Sequence, residues 1–214
     1  MGDRDYRNII KNAVDSISRE LEIEIEPKDI QTIHLKEVVQ CMRRSYYDRI
    51  DPKQIDRRGF NDLLAGLLRK LHYGSEPKEF AIDDIKLRGQ ADMLVDDSII
   101  LFRPAQSTPE SPLSSDLLYL NACMWIYDKT DGMLVYISGN REETSFSVTR
   151  DKNMFEEVIR RVRVLHDLLK EQKTPILEPS LDCADCQYYQ RCYITKKNTK
   201  QVSLSEMLGL GKDK

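Results

Sequence analysis

Four of the five cysteines in this chain are spaced like ligands of a metal centre. Cys183, Cys186 and Cys192 lie close together, and the first two are separated by two residues. Thiolates at this interval project from one tight turn and bind a common metal group. A fourth thiolate has to come from elsewhere, and Cys41 is the best donor, which would join the two ends of the chain.

The kind of metal group follows less directly from the spacing. Zinc sites usually bring two close cysteine pairs, whereas one distant and three clustered cysteines favour an iron-sulfur cluster. Zinc and unliganded thiols remain alternatives. The charged start of the chain has no apolar leader, which predicts a cytoplasmic protein without disulfides. Cys123 lies in an apolar stretch, and we expect it to be a small buried hydrophobe.

Composition sets limits on size and partners. The 214 residues, 40% hydrophobic and 32% charged, are enough for one generous core, and no apolar run is long enough to span a membrane. The net charge of -3 argues against a uniformly basic nucleic-acid binder. Basic residues nevertheless cluster in one part of the sequence, and they form either a solvated helix surface or a phosphate-binding patch. They are Arg43, Arg44, Arg49, Lys53, Arg57, Arg58, Arg69 and Lys70.

Hydrophobic periodicity predicts the elements that position these residues. A turn is expected at Asp96-Asp97-Ser98 and a loop over 103–115. The order of elements predicts an α/β fold, in which a mixed central β-sheet is flanked by helices. The expected helices cover 4–22, 33–49, 59–71, 117–128 and 153–171, and the expected strands cover 79–87, 91–95, 99–102, 132–138 and 144–149.

Four segments carry a resemblance to a known family: Cys41-Met-Arg-Arg-Ser-Tyr-Tyr, Gly89-Gln-Ala-Asp92, Val135-Tyr-Ile and Pro179 to Cys192. They resemble the RecB-like iron-sulfur nucleases of the PD-(D/E)XK superfamily, in particular the CRISPR-associated exonuclease type. The resemblance implies a restriction-endonuclease-like domain over 1–196, followed by a flexible tail over 197–214. It also implies that the four cysteines hold a 4Fe-4S or 2Fe-2S cluster, which joins the N- and C-terminal segments.

The catalytic signature of that family is incomplete here. Such nucleases hold Mg²⁺ or Mn²⁺ between several carboxylates with a lysine beside them. Asp92 matches the first carboxylate, but Leu101 and Arg103 stand where the family has glutamate and lysine. The family's histidine is missing after Gly59, and Tyr119-Leu-Asn-Ala-Cys123 replaces its Q-x-x-x-Y motif. One carboxylate makes a poor Mg²⁺ or Mn²⁺ site, so we expect Asp92 to be neutralised by Arg88 or Arg103.

Two classes of function remain. The favoured one is a catalytically inactive nuclease homologue, a DNA-binding or structural subunit in DNA repair, replication or CRISPR-type processing. The alternative is an active metal-dependent exonuclease for single-stranded DNA, with carboxylates taken from Asp83, Asp84, Asp96 or Glu110. A redox or cluster-sensing role rests on the cysteines alone. DNA, as single strands or ends, would contact phosphate-binding side chains: Arg43, Arg44, Arg57, Arg58 and Lys70.

The C-terminal tail contains a possible partner motif. Gln201, Leu204, Met207 and Leu208 follow a basic spacer and are similar to the peptides that bind a replication sliding clamp. Such peptides place aliphatic and aromatic anchors in a hydrophobic pocket, and here Met207 and Leu208 replace the aromatic pair. An ordinary polar terminus with scattered hydrophobes is the alternative.

Overall fold

The computed structural model describes residues 25–52, 75–105, 107–138 and 142–193, with only the backbone of Leu181. The chain divides into two compact units, Met1–Ile176 and Leu177–Lys214. The larger unit contains both β-sheets and four helices among its described residues, and the smaller contains the cysteine-rich segment. The helices predicted over 4–22 and 59–71, and the tail motif at 201–208, lie outside the described residues.

The first sheet has three strands, β1 (Thr32–His34), β2 (Lys78–Ile82) and β3 (Ile85–Gly89), in the order β1-β3-β2. β1 is parallel to β3, and β2 is antiparallel to it. The single strand predicted over 79–87 is therefore wrong, because the chain turns between Ile82 and Ile85. Asp83 adopts a φ of 54° in that turn, a conformation that aspartate tolerates better than most residues.

The second sheet has four strands in the order β4-β5-β6-β7. They are β4 (Met93–Val95), β5 (Ser98–Ala105), β6 (Asp131–Ser138) and β7 (Glu143–Thr149). β5 and β6 are parallel, and the other pairs are antiparallel. The predicted hairpin turn between β4 and β5 is confirmed. The described residues form two mixed sheets, where the sequence predicted one mixed central sheet.

The helix predicted over 33–49 is instead a strand followed by two short helices, α1 (Leu35–Val39) and α2 (Met42–Ile50). The helix breaks because Cys41 has an extended backbone, with φ −57° and ψ 124°. The Ser45 hydroxyl donates a 2.6 Å hydrogen bond to the carbonyl of Glu37 and so satisfies a group that the break leaves free. Cys41 therefore occupies the N-terminal end of α2.

Two long helices supply most of the helical core, α3 (Ser114–Tyr127) and α4 (Lys152–Lys170). The prediction for α4 is confirmed within a residue at each end, and its first turn is capped by Asp151, which accepts a 2.9 Å bond from the Met154 amide. α3 begins three residues earlier than predicted. Five apolar side chains of α4 are buried along one face: Phe155, Val158, Val162, Leu165 and Leu169.

A buried ion pair connects α1 and α2. Arg49 donates to both oxygens of the Glu37 carboxylate, at 2.6 and 2.8 Å, and both side chains are 1% exposed. Its remaining donors reach the carbonyls of Glu26, Asp29 and Thr32 at 2.6 to 2.8 Å. All five guanidinium N–H groups are thereby used. Arg49 was predicted to belong to a basic patch, and this is wrong because its partners bury it.

Among the described helices, none combines the length and apolar character needed to cross a membrane.

Candidate functional site

The segment between β3 and β4 positions Asp92. Gly89 ends β3 close against α3, where a Cβ atom would lie 2.7 Å from Ile126 Cδ1, so a larger residue would require that side chain to shift. The buried Ser75 hydroxyl then bridges the amide of Ala91 at 3.1 Å and its carbonyl at 2.8 Å. These contacts fix the backbone directly before Asp92, so its carboxylate has a defined position.

Asp92 faces β5 in a nearly dry environment. Its side chain is 6% exposed, and its Oδ2 atom accepts a 2.9 Å hydrogen bond from the Phe102 amide. The same oxygen accepts a 3.3 Å bond from Nη1 of Arg103. The expected neutralisation of Asp92 is present, and it comes from Arg103. Arg88, the other candidate, is exposed on the first sheet, where its Cα pairs with that of His34.

Arg103 has a second carboxylate partner, which the sequence did not reveal. Its Nε atom donates a 2.9 Å bond to Oδ1 of Asp116, in the first turn of α3. Its guanidinium also lies over the ring of Tyr119, at 5.1 Å from the ring centroid. The cation is thus held between two acids that come from different elements.

Asp116 is itself held in place by β6. The Tyr136 hydroxyl donates a 2.7 Å bond to Oδ2 of Asp116 and accepts a 3.0 Å bond from the Leu113 amide. An acidic residue in the first turn of a helix is a sequence signal for a stabilised helix start, and tyrosine at an inward position of a strand is a signal for a buried hydroxyl. Neither signal identifies the partner.

The electrostatics of this cluster, formed by Asp92, Arg103, Asp116 and Tyr136, favour a permanent ion network. Burial opposes the charge of Arg103, but Asp92 and Asp116 outweigh it and raise the pKa of the guanidinium above its usual value. Burial, together with the hydrogen bond to Asp116, raises the pKa of Tyr136 to about 12. At neutral pH the arginine is therefore charged and the phenol is protonated, as the hydrogen bonds require.

Leu101 and Cys123, two further positions on which the resemblance to the nuclease family was judged, lie in the core. Leu101 is fully buried on β5, on the same face as Arg103, where alternate residues share a side. Cys123 is also fully buried, which confirms the prediction of a small hydrophobe, and burial raises the pKa of its thiol. The Tyr119 hydroxyl donates to the Gln90 carbonyl at 2.9 Å. These side chains pack and support the cluster.

The alternative carboxylates do not complete a metal site with Asp92. Asp83 and Asp84 lie in the β2–β3 turn, Asp96 lies in the β4–β5 turn, and all three are exposed, as is Glu110 in the loop before α3. Asp83 accepts a 2.9 Å salt bridge from Arg163. Within the described ranges, no three His, Cys, Asp or Glu side chains form a group that could hold a metal ion.

The smaller unit contains three of the four predicted cysteine ligands in a series of tight turns. The Cys186 amide donates to the Cys183 carbonyl at 3.2 Å, and Cys192 lies in the short helix α5 (Tyr189–Tyr193). The Ser180 amide donates to the Cys183 sulfur at 3.4 Å. This bond, with a further one from the Tyr193 hydroxyl, lowers the pKa of the Cys183 thiol.

These thiols suit an iron-sulfur cluster in their chemistry. All three are partly exposed and unpaired, and a sulfur that accepts an amide hydrogen bond favours the thiolate that binds iron. Cys41 is also a partly exposed free thiol, and it belongs to the larger unit. The described side chains do not group as ligands of a single ion, so the assignment of Cys41, Cys183, Cys186 and Cys192 as cluster ligands stays a prediction.

Of the residues predicted to contact DNA, only Arg43 and Arg44 are described. Arg43 donates a 2.7 Å bond from Nε to the Pro175 carbonyl. Arg44 is exposed and lies 4.0 Å from Asp48, at the limit of a salt bridge. Arg57, Arg58 and Lys70 lie outside the described residues.

Comparison with known proteins finds likeness in structure alone. No protein-family model matches the chain, and no curated protein matches it. A solved structure of SSO0001 matches with a TM-score of 0.62 and 17% identity, over 86% of this chain and 96% of that one. At this identity the match shows a shared fold.

Two further solved structures are exonucleases. The alkaline exonuclease of Laribacter hongkongensis matches with a TM-score of 0.46 and 12% identity, over 67% of this chain and 90% of that chain. A phage-related exonuclease from Haemophilus somnus 129PT matches with a TM-score of 0.42 and 14% identity, over 64% of this chain and 83% of that one.

Proposed function

We propose that this protein is a RecB-like nuclease domain that has lost metal-dependent cleavage and acts as a DNA-binding or structural subunit. The observation that carries the proposal is the guanidinium of Arg103 between Asp92 and Asp116, at 3.3 and 2.9 Å. DNA repair, replication and CRISPR-type DNA processing are the settings in which such a subunit would work.

The chemistry of phosphodiester cleavage explains why this arrangement points to inactivity. Cleavage in such nucleases needs a divalent metal ion that activates water and neutralises charge on the phosphate. Asp92 and Asp116 already neutralise the guanidinium of Arg103. Asp116 also accepts a hydrogen bond from the Tyr136 hydroxyl, and Asp92 accepts one from the Phe102 amide. Hard divalent ions prefer several oxygen ligands, and displacing Arg103 would leave its partly buried charge without a carboxylate partner.

We expect the purified chain to bind labelled single-stranded DNA and not to cleave it in Mg²⁺ or Mn²⁺. Anisotropy measures the binding, and gel analysis of the same sample measures cleavage. Affinity is expected to fall steeply with salt, because binding of phosphates releases counterions. Replacing Arg43 and Arg44 together by alanine is expected to weaken binding and reduce the salt slope, whereas Arg160→Ala, an exposed residue paired with Glu157 on α4, serves as the control.

Two outcomes would contradict this proposal in different ways. Metal-dependent cleavage that disappears in Asp92→Asn would establish the active exonuclease. Absence of DNA binding at low salt would remove the nucleic-acid part and leave a structural subunit. The proposed contacts at Arg57, Arg58 and Lys70 are tested by alanine replacement in the same assay.

We further propose that Cys41, Cys183, Cys186 and Cys192 hold an iron-sulfur cluster with a structural role. The support is the thiolate donor set and the hydrogen-bonded sulfur of Cys183. When bound, the cluster would supply a cross-link, and metal-ligand bonds of this kind contribute directly to folding free energy.

The tail at 201–208 is proposed to bind a sliding clamp.

Replacing Cys186 by serine is expected to abolish bound iron and sulfide and the visible absorption of anaerobically purified protein. Melting of the chain is expected at a lower temperature, because the cross-link is lost. Cys123→Ala is the matched control, since this thiol is fully buried in the larger unit, and it should retain its iron. Stoichiometric zinc in the wild type, or unchanged iron in Cys186→Ser, would reject the cluster.

A further inference from the structure

The outer strand of the second sheet, β7, has one edge that no described strand covers. Its seven residues pair with β6 in an unbroken antiparallel register, from Glu143 opposite Ile137 to Thr149 opposite Asp131. β7 stands last in the order β4-β5-β6-β7, so within the described chain no strand pairs with its other side. A free edge of this length exposes a row of backbone donors and acceptors.

The hydrogen bonds at the two ends of the ladder show which backbone groups face outward. The Ser138 amide donates to the Glu142 carbonyl, and the Arg150 amide donates to the Thr130 carbonyl, each at 2.9 Å. Glu142 and Arg150 continue the register of β7 at either end, and each is hydrogen-bonded to its partner at or next to an end of β6. Because hydrogen-bonded and non-bonded pairs alternate in an antiparallel ladder, the even-numbered residues of β7 bond to β6. The outward N–H and C=O groups belong to the odd-numbered residues: Glu143, Ser145, Ser147 and Thr149.

This edge lacks the devices that usually prevent pairing. Natural edge strands carry lysine, proline or a bulge, and β7 has no lysine or proline and keeps a regular register. The four residues whose backbone groups point outward are also exposed, and the single charged side chain of β7, that of Glu143, lies at one end of the strand. None of the described hydrogen bonds uses the outward backbone groups of Ser145 or Ser147.

The sequence of β7 complements itself about its centre. Serines flank Phe146 on both sides, and the next positions are β-branched, Thr144 and Val148. An antiparallel pair of two such strands would place Ser145 opposite Ser147 and Glu143 opposite Thr149. Like charges would therefore not meet, and small polar side chains would permit close approach.

We propose that β7 pairs antiparallel with β7 of a second copy of this chain, centred on Phe146. The odd-numbered residues then form four hydrogen-bonded pairs, with about eight backbone bonds across the two-fold axis. Phe146 occupies the central non-bonded pair, where Cα atoms lie about 4.5 Å apart and the two rings meet on one face. The two four-stranded sheets become one continuous sheet of eight strands.

Light scattering during size-exclusion chromatography tests the pairing. The wild-type chain of 25.0 kDa is expected to elute with twice that mass at tens of micromolar. Ser147→Pro is expected to elute as a monomer, since proline removes an outward N–H and leaves the bonds to β6 intact. Ser147→Ala, which keeps the backbone donor, is expected to remain dimeric. Far-UV circular dichroism checks that each variant is folded.

A charge exchange tests the register and does not depend on the proline variant. Lysine at both Ser145 and Ser147 would place like charges opposite each other across the pair and is expected to give a monomer. Lysine at Ser145 with glutamate at Ser147 would place opposite charges together and is expected to restore the dimer. A wild type that remains at 25.0 kDa at hundreds of micromolar, or a dimer that survives the double-lysine change, would overturn the proposal.

Discussion

Replacing Arg49 by alanine is expected to destabilise the protein by about 3 to 5 kcal/mol, the range measured when one partner of a buried ion pair is removed. The Glu37 carboxylate, whose side chain is 1% exposed, would lose both of its bonds to the guanidinium. The carbonyls of Glu26, Asp29 and Thr32 would lose their donors in the same change. A large part of the expected effect comes from groups left buried and unsatisfied.

Urea unfolding followed by circular dichroism measures this effect. Arg49→Lys is expected to recover part of the loss, because lysine keeps the charge but cannot supply five donors in a planar fork. Removing both charges, with Arg49→Met and Glu37→Leu, is expected to be much less harmful than Arg49→Ala. The exposed pair Arg160 and Glu157 gives the control, for which Arg160→Ala should cost about 0 to 1 kcal/mol. A stability of Arg49→Ala within 1 kcal/mol of the wild type would show that the pair does not hold α1 and α2.

Replacing Arg103 by alanine is expected to cost about 2 to 4 kcal/mol, because it leaves Asp92 and Asp116 facing each other without a cation. Their side chains are 6% and 15% exposed, and that of Arg103 is 21% exposed, so water replaces the lost bonds only in part. Arg103→Lys keeps the charge and is expected to cost less. The stacking on Tyr119 and one of the two carboxylate bonds would still be lost.

The charge balance of the cluster can be separated from its packing. Adding Asp92→Asn and Asp116→Asn to Arg103→Met removes all three charges while nearly preserving volume, and it is expected to recover much of the stability lost in Arg103→Ala. Thermal and urea unfolding of the wild type, Arg103→Ala, Arg103→Lys and the triple variant measure the recovery. An Arg103→Ala protein as stable as the wild type would mean that Asp92 and Asp116 are solvated, and the network would then no longer support the proposed inability to bind a catalytic metal ion.

Local patterns of sequence were sufficient for several elements. The apolar stripe of α4 and the alternation in β6 and β7 depend on residues a few positions apart, and their observed bounds agree with the prediction. The break at Cys41 was missed because helical periodicity continues across it, and the bond from the Ser45 hydroxyl that satisfies the Glu37 carbonyl is visible only in the structure. The β2–β3 turn at Asp83-Asp84 was missed although aspartate favours turns and the similar pair Asp96-Asp97 predicted the turn between β4 and β5.

The sequence by itself predicted, through its resemblance to RecB-like nucleases, that Leu101 and Arg103 stand where that family has glutamate and lysine, and that Arg103 was a candidate partner of Asp92. It also determined the cysteine spacing on which the cluster proposal rests. Only the tertiary structure decided that Asp116 completes the site and that Arg49 is buried. The physical reason is that a charge is neutralised by whichever group the fold brings within about 3 Å, and such partners are distant in the chain. A residue type indicates what chemistry a side chain can perform, and packing decides which chemistry is left to it.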